Sequence, residues 1–321
     1  MKNFWQKLPK PFFVLAPMAD VTDAAFRQII AKYGKPDVFF TEFVSADGLN
    51  SPGRDKLLID FKFSRSEKPI VAQIFGHKPD NMKAAAELCK KLGFSGIDIN
   101  MGCPEKNICK QGCGSAMMKD SKAARQAIVA TIAGAGGLPV SVKTRLGFYK
   151  KTELETFLPE ILKEDLAAVT LHARTTKEMS KVPADWSYIK RAVSIRDEQG
   201  SKALIIGNGD IMTVDEAKQK VAETGCDGVM IGRGIFGNPW LFNKKIKKED
   251  VSLKKQYKVM VEHANLFEKY LSDYKKFDIM KKHFKAYVSG FDGAKELRVK
   301  LMESKNAKDV EKTIKEYFSK K

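Results

Sequence analysis

Cys103 stands in the run Asn100-Met101-Gly102-Cys103-Pro104, directly behind a short aliphatic stretch. A thiol in such a place is either small buried filler, a common fate of free cysteine, or a reactive group. Lys143 and Arg145 alternate along a second aliphatic stretch, and His172 and Arg174 close a third. An unpaired lysine is costly in a dry interior, so Lys143 is expected to face an anionic or electron-rich partner. A lone histidine is often a satisfied core residue; the neighbourhood of Lys143 and Cys103 moves His172 towards a site. Two glycine-rich turns, Gly207-Asn208-Gly209-Asp210 and Gly232-Arg233-Gly234, would bring backbone N–H groups close to a phosphate, with Arg233 adding charge. Such a set suits a phosphate-bearing cofactor beside a reactive thiol.

Cys109 and Cys113 follow Cys103, but the spacing supplies no fourth ligand and none of the paired elements of a zinc or iron–sulfur site. No metal is expected. Cys89 and Cys226 fall in helical and pre-strand positions and are expected to pack.

These residues need elements to hold them. Eight short β-branched or aliphatic runs recur, at 12–18, 38–44, 70–76, 96–102, 139–147, 167–174, 203–210 and 228–234, with helical stretches between most of them. Helical apolar spacing covers 81–92 and 121–133, and Thr213 and Asp215 offer N-caps for a helix running to 223. The connection 50–69 is too irregular for a full helix. Right-handed crossovers close eight such units into a (β/α)8 barrel, an α/β TIM barrel whose site lies at the C-terminal strand ends. After Pro239 the strand signals stop, and 256–271 places Tyr257, Met260, Val261, Ala264, Phe267 and Leu271 on one helical face. The expected division is a catalytic barrel over 1–245 and a small α-helical domain over 246–321.

The chain has 321 residues and a formal charge of +18. Residues 244–321 hold 22 Lys/Arg against 12 Asp/Glu, so more than half of the excess sits in under a quarter of the chain. A polyanionic partner is expected, against the alternative of merely solubilising lysines. The apolar run 12–19 is broken by Pro17 and is too short for a bilayer span or a signal peptide. A cytoplasmic, monomeric protein with free thiols and no membrane partner is expected.

With those residues in view, the sequence resembles the tRNA-dihydrouridine synthases along nearly its whole length. The likeness is carried by APMADVTDAAFR at 16–27, DINMGCP at 98–104, GCGSAMM at 112–118, VKTRLG at 142–147, LHART at 171–175, GNGDI at 207–211 and GVMIGRGIFGNPWLF at 228–242. The resemblance implies an FMN oxidoreductase that reduces the C5–C6 double bond of selected uridines in tRNA, with NADPH or NADH as electron donor. It implies that Pro17, Met18, Ala19, Gln73, Lys143, His172, Asn208, Gly209, Asp210, Gly232 and Arg233 hold the flavin, and that Cys103 is the general acid that protonates C5. Asn100 and Arg174 would meet the base, and Lys281, Lys282 and Arg298 of the tail would meet tRNA. In the tail, Phe284 and Tyr287 read more naturally as the inward face of an amphipathic helix than as RNA contacts. Cys113, Thr176 and Asp20 depart from the family pattern, which bears on the uridine chosen rather than on the chemistry.

Two other readings compete: an FMN barrel acting on a free pyrimidine, which needs no cationic tail, and an RNA-binding barrel without catalysis, which needs no flavin set. Deleting 246–321 is expected to weaken tRNA binding while the flavin stays bound.

Overall fold

The eight aliphatic runs all form strands in the structure, a computed structural model that describes residues 3–319. They are β1 (Phe12–Leu15), β2 (Phe39–Ser45), β3 (Ile70–Phe75), β4 (Gly96–Asn100), β5 (Val140–Arg145), β6 (Ala168–His172), β7 (Leu204–Asn208) and β8 (Gly228–Ile231). All neighbours are parallel, in the order β1-β8-β7-β6-β5-β4-β3-β2. The ring closes between β1 and β2 through the Val14–Val38 bridge and the bond from Leu15 N–H to Val38 C=O at 3.2 Å. This is the TIM-barrel fold.

Most strands stop short of their sequence-predicted ends. Pro17-Met18, Met101-Gly102 and Gly209-Asp210 lie beyond the ladder, because glycine and proline spoil the pairing there. These residues form the rim.

The helices between strands follow local signals. Asp120 caps the helix Ser121–Ala135 by accepting from Ala123 N–H at 3.0 Å, and Gly136 ends it in the left-handed region. Thr213 and Glu216 form a reciprocal cap on the helix Val214–Thr224. The connection after β2 breaks into short turns, Arg54–Leu57, Leu58–Phe61 and Arg65–Glu67, as its mixed composition suggests.

Side chains alternate across a strand, and the inward set changes character along the barrel. At the N-terminal end Phe12, Val14, Phe40, Val71, Ala168 and Ile206 pack into one interior cluster, stoppered from below by Trp5. Two residues further on, the same inward face carries Gln73, Asn100, Lys143, Thr170, His172 and Asn208. The interior is thus oil at the floor and polar at the mouth. The outward faces pack against the surrounding helices in a separate, larger core.

After β8 come the helices Leu253–Leu271, Met280–Tyr287, Ala294–Met302 and Ala307–Ser319. Their apolar faces share a cluster with Ala25 and Ile29 of the helix Ala24–Tyr33 and with Trp240, so the tail is packed onto the barrel. Phe284 and Tyr287 are buried in that cluster, as the amphipathic reading expects. Among the described residues no helix is long and apolar enough to cross a membrane.

Candidate functional site

Strand register gathers the mouth residues into two successive rows. Asn100 pairs with Lys143, Arg145 with His172, His172 with Asn208, and Asn208 with Met230. A cavity of about 240 Å³ opens there, lined by Pro17, Met18, Lys143, His172, Asn208, Gly209, Asp210, Gly232 and Arg233, together with Arg145 and Ser180. Its volume lies just under the ~300–1,000 Å³ of small-molecule pockets.

Nine of the eleven residues expected to hold a cofactor therefore share one cavity. Ala19 lies exposed just past it, and Gln73 lies beneath it. Gln73 is fully buried, donating to Asp98 Oδ2 at 2.7 Å and accepting from Asn100 Nδ2 at 3.0 Å. Asp98 accepts a second bond from Ser141 Oγ at 2.6 Å. Burial raises the Asp98 carboxyl to about 6 against these bonds.

This chain of bonds ends at the backbone of Cys103, a residue beside the cavity rather than among those that line it. Asn100 Oδ1 accepts from Gly102 N–H at 3.1 Å and from Cys103 N–H at 2.9 Å. Cys103 is half-buried, and its carbonyl accepts from Ser115 N–H at 2.9 Å. Gly114 makes that closure possible: its φ is +59°, and a Cβ there would stand 2.7 Å from the Cys103 carbonyl oxygen. Burial pushes the Cys103 thiol above its ordinary value, which keeps the proton on sulfur at neutral pH. The side-chain amide of Asn100, expected to touch the base, is mostly spent on this fastening.

The electrostatics of the mouth are cationic. The Lys143 side chain makes no hydrogen bond or ion pair with the described residues, and burial, aided by repulsion from Arg145, lowers its ammonium to about 8. Burial and the surrounding Lys143, Arg145, Arg174 and Arg233 hold His172 down at about 2. A neutral His172 accepts from Arg174 Nη1 at 3.3 Å. Asp210 gathers Arg174 Nη2, Arg233 Nη2 and the Ala184 N–H. Arg174 also donates to Val182 C=O at 2.6 Å, so this residue, expected at the base, is largely occupied with shaping the loop. Gly209, at φ +133°, sits with its would-be Cβ 2.8 Å from Ala184, and Asn208 Nδ2 ties β7 to the Met230 carbonyl at 2.8 Å.

Arg145 was legible as a mouth residue but not as a site residue; its inward period along β5 is the signal. It donates to Gly102 C=O at 2.7 Å, one more tie on the cysteine loop. Ser180 and Met212 come from loops with no such period, and the sequence carries no signal for them. Cys109 bonds Ser115 Oγ at 3.3 Å and Cys113 faces His77 Nδ1 at 3.3 Å. Among the described residues no group of three or more His, Cys, Asp or Glu is arranged to hold a metal.

The tail residues lie outside this cavity. Lys281 pairs with Asp278 one turn earlier at 2.5 Å, Lys282 is exposed, and Arg298 donates to Val288 C=O at 3.0 Å. Arg298 thus spends one arm on closing a helix end.

Residues 14–321 match the family model described as dihydrouridine synthase (Dus). The chain is 42% identical over 318 residues to a probable tRNA-dihydrouridine synthase of Staphylococcus aureus (strain MRSA252), covering 98% of this chain and 96% of that one. It is 43% identical over 311 residues to probable tRNA-dihydrouridine synthase 2 of Bacillus subtilis (strain 168), covering 96% and 94%. Among solved structures, morphinone reductase matches with a TM-score of 0.52 at 11% identity, over 75% of this chain and 87% of that one. Histamine dehydrogenase from Rhizobium sp. 4-9 matches with a TM-score of 0.56 at 14% identity, over 79% and 48%. At such identities the structural likeness shows the fold alone.

Proposed function

The chain belongs to the dihydrouridine synthase family, and on that premise we propose that it is an FMN-dependent tRNA-dihydrouridine synthase that reduces the C5–C6 bond of selected uridines. The observation that carries this reading is the fastened loop of the half-buried Cys103: Asn100 holds its backbone N–H, and Arg145, a residue of the cationic cavity wall, holds the preceding Gly102 carbonyl.

The residues present fit FMN. Lys143 offers an unpaired ammonium to an electron-rich ring, and Arg233 with the Gly209 and Gly232 turns offers charge and open backbone to a phosphate. The bound flavin, once reduced by NADPH or NADH, supplies the hydride that C6 of the uracil accepts. Cys103 Sγ–H gives the proton that C5 takes up, and the raised thiol pKa keeps that proton available at neutral pH. Charge that builds on the uracil carbonyl side during this addition is stabilised by the cations of the mouth. His172, held neutral, cannot serve as the acid; it orients Arg174.

A uracil stacked in RNA cannot reach this mouth, so the base must be turned out of the RNA. Holding the RNA meanwhile falls to the basic segment 246–321, proposed as the tRNA-binding part, with barrel residues 1–245 carrying the chemistry. Lys282 is the freest of its expected contacts.

The test is incubation of the purified, flavin-loaded protein with unmodified tRNA and NADPH or NADH, followed by mass spectrometry of the nucleosides. Dihydrouridine formed on tRNA is the expected result. Uridine left intact, or free uracil reduced as efficiently as tRNA, overturns the reading.

A further inference from the structure

A second polar cluster lies at the barrel rim, away from the cavity wall. Lys275, in the turn that follows the tail helix Leu253–Leu271, reaches back to the barrel and places its Nζ 3.0 Å from Glu42 Oε2, 2.8 Å from Asp60 Oδ1 and 4.0 Å from Asp20 Oδ1. Glu42, at the middle of β2, is 4% exposed, and the Lys275 side chain is 13% exposed. The other oxygen of Glu42 accepts from the Asp20 N–H. Asp20 ends the segment 16–20, whose Ala16, Pro17 and Met18 line the cavity, and it holds the uncommon φ of +54°.

One cation of the tail therefore acts, through one carboxylate, on the loop that borders the candidate cofactor site. The pairing spans 233 residues of sequence, and the same turn leads directly into the helix Met280–Tyr287 that bears Lys281 and Lys282. A buried carboxylate robbed of its cation takes up a proton rather than remain charged. The charge-assisted bond that fixes Asp20 N–H then weakens.

We propose that Lys275 is a positioning residue: through Glu42 it lets the docked tail hold the loop 16–20 in the shape that binds the flavin, so that tail seating and cofactor binding are one linked event. The proposal rests on the flavin reading above. It replaces the expectation that deletion of 246–321 leaves flavin binding untouched, since Lys275 departs with the tail. The groups facing Glu42 are Lys275 of the tail, Asp60 of the turn Leu58–Phe61, Asp23 at the start of the helix Ala24–Tyr33 and Asp20 of the loop. Burial, opposed by Lys275, sets Glu42 at about 7, so flavin affinity in the intact protein falls as the pH drops through that region.

The experiment titrates FMN into the full-length apoprotein by fluorescence quenching across pH 5.5–8.5, on the order of ±1.5 pH units around that value, with circular dichroism to check folding. Lys275→Met is expected to weaken FMN binding about tenfold, the loss of one charge-assisted bond, and to move upward the acid-side break, the fall in affinity as pH drops, which is distinct from the fall at higher pH that belongs to Lys143. Lys275→Arg restores both affinity and break, and Lys258→Met, exposed on the preceding helix, changes neither. Should Lys275→Met not fold, Glu42→Gln carries the test and is expected to weaken binding and abolish the break. Wild-type affinity with an unmoved break in Lys275→Met, or an intact break in Glu42→Gln, overturns this proposal alone. Wild-type protein that takes up no FMN overturns it together with the functional reading.

Discussion

The barrel mouth and the helical tail handle charge in opposite ways. In the mouth nearly every polar atom is committed: Asp98 to Ser141 and Gln73, Asn100 to the cysteine loop, Arg174 and Arg233 to Asp210. The Lys143 ammonium stands out because it is left over. In the tail the apolar side chains are committed to a core, while most lysines remain at the surface with few or local partners. A preorganised set directs a small reacting centre; a diffuse set attracts a polyanion without dictating its pose. The first kind of site is broken by single atoms and the second is only eroded by them.

That contrast can be broken most sharply at the thiol. Cys103→Ala should lower turnover on tRNA by about 10²–10⁴, the usual contribution of a positioned acid, while leaving the flavin spectrum and affinity unchanged; near-native turnover would make the mouth no more exacting than the tail. The tail is sensitive in its core rather than its charges. Phe284→Ala should cost about 3–5 kcal/mol of stability, as for large aromatic truncations, read as a lower urea midpoint with loss of tRNA binding. A cost near zero would mean that the tail does not rest on that cluster.

Smaller effects sharpen the comparison. Lys143 carries its charge below about 8 and loses it above. Flavin affinity should therefore decline as pH rises through that value, and Lys143→Met should be weaker and flat over the same range. A wild-type profile without that decline would remove Lys143 from the ligand's surroundings. The smallest effect belongs to Lys282→Ala, expected to weaken tRNA binding a few-fold and to reduce the salt slope by about 1, the signature of one lost phosphate contact. A change confined to one tRNA species would instead indicate a sequence-reading role.

The barrel was legible because the chain writes it locally. Aliphatic runs such as Val140-Ser141-Val142 betray a strand, and the alternation Ser141, Lys143, Arg145 betrays which face looks inward. The alternation accounts for Lys143 and His172, whereas Pro17, Met18, Gly209, Asp210, Gly232 and Arg233 lie beyond the ladders and follow from the family's motifs. It could not reveal that Gln73 lies under that cavity, nor that Asn100 and Arg174 are occupied with loops, because those facts depend on hydrogen-bond partners contributed by other strands. The contact of Lys275 with Glu42 is the extreme case. Its partners are distant in sequence, and a lysine among 22 basic residues of the last segment has no periodic or motif signal to mark it. Strand ends were overestimated for a related reason: glycine-rich rim residues continue the aliphatic look of a run after its ladder has stopped.

Trp5 packs beneath the barrel against the tilted rings of Phe12 and Phe40, with ring centroids 5.7 and 6.4 Å away. A vessel corked at one end has a single doorway, and whatever reacts inside must come and go through it. For the proposed chemistry, the nicotinamide that delivers electrons and the pyrimidine that receives them compete for one threshold, so they visit in turn, and the enzyme must hold the electrons in the interval between one guest and the next.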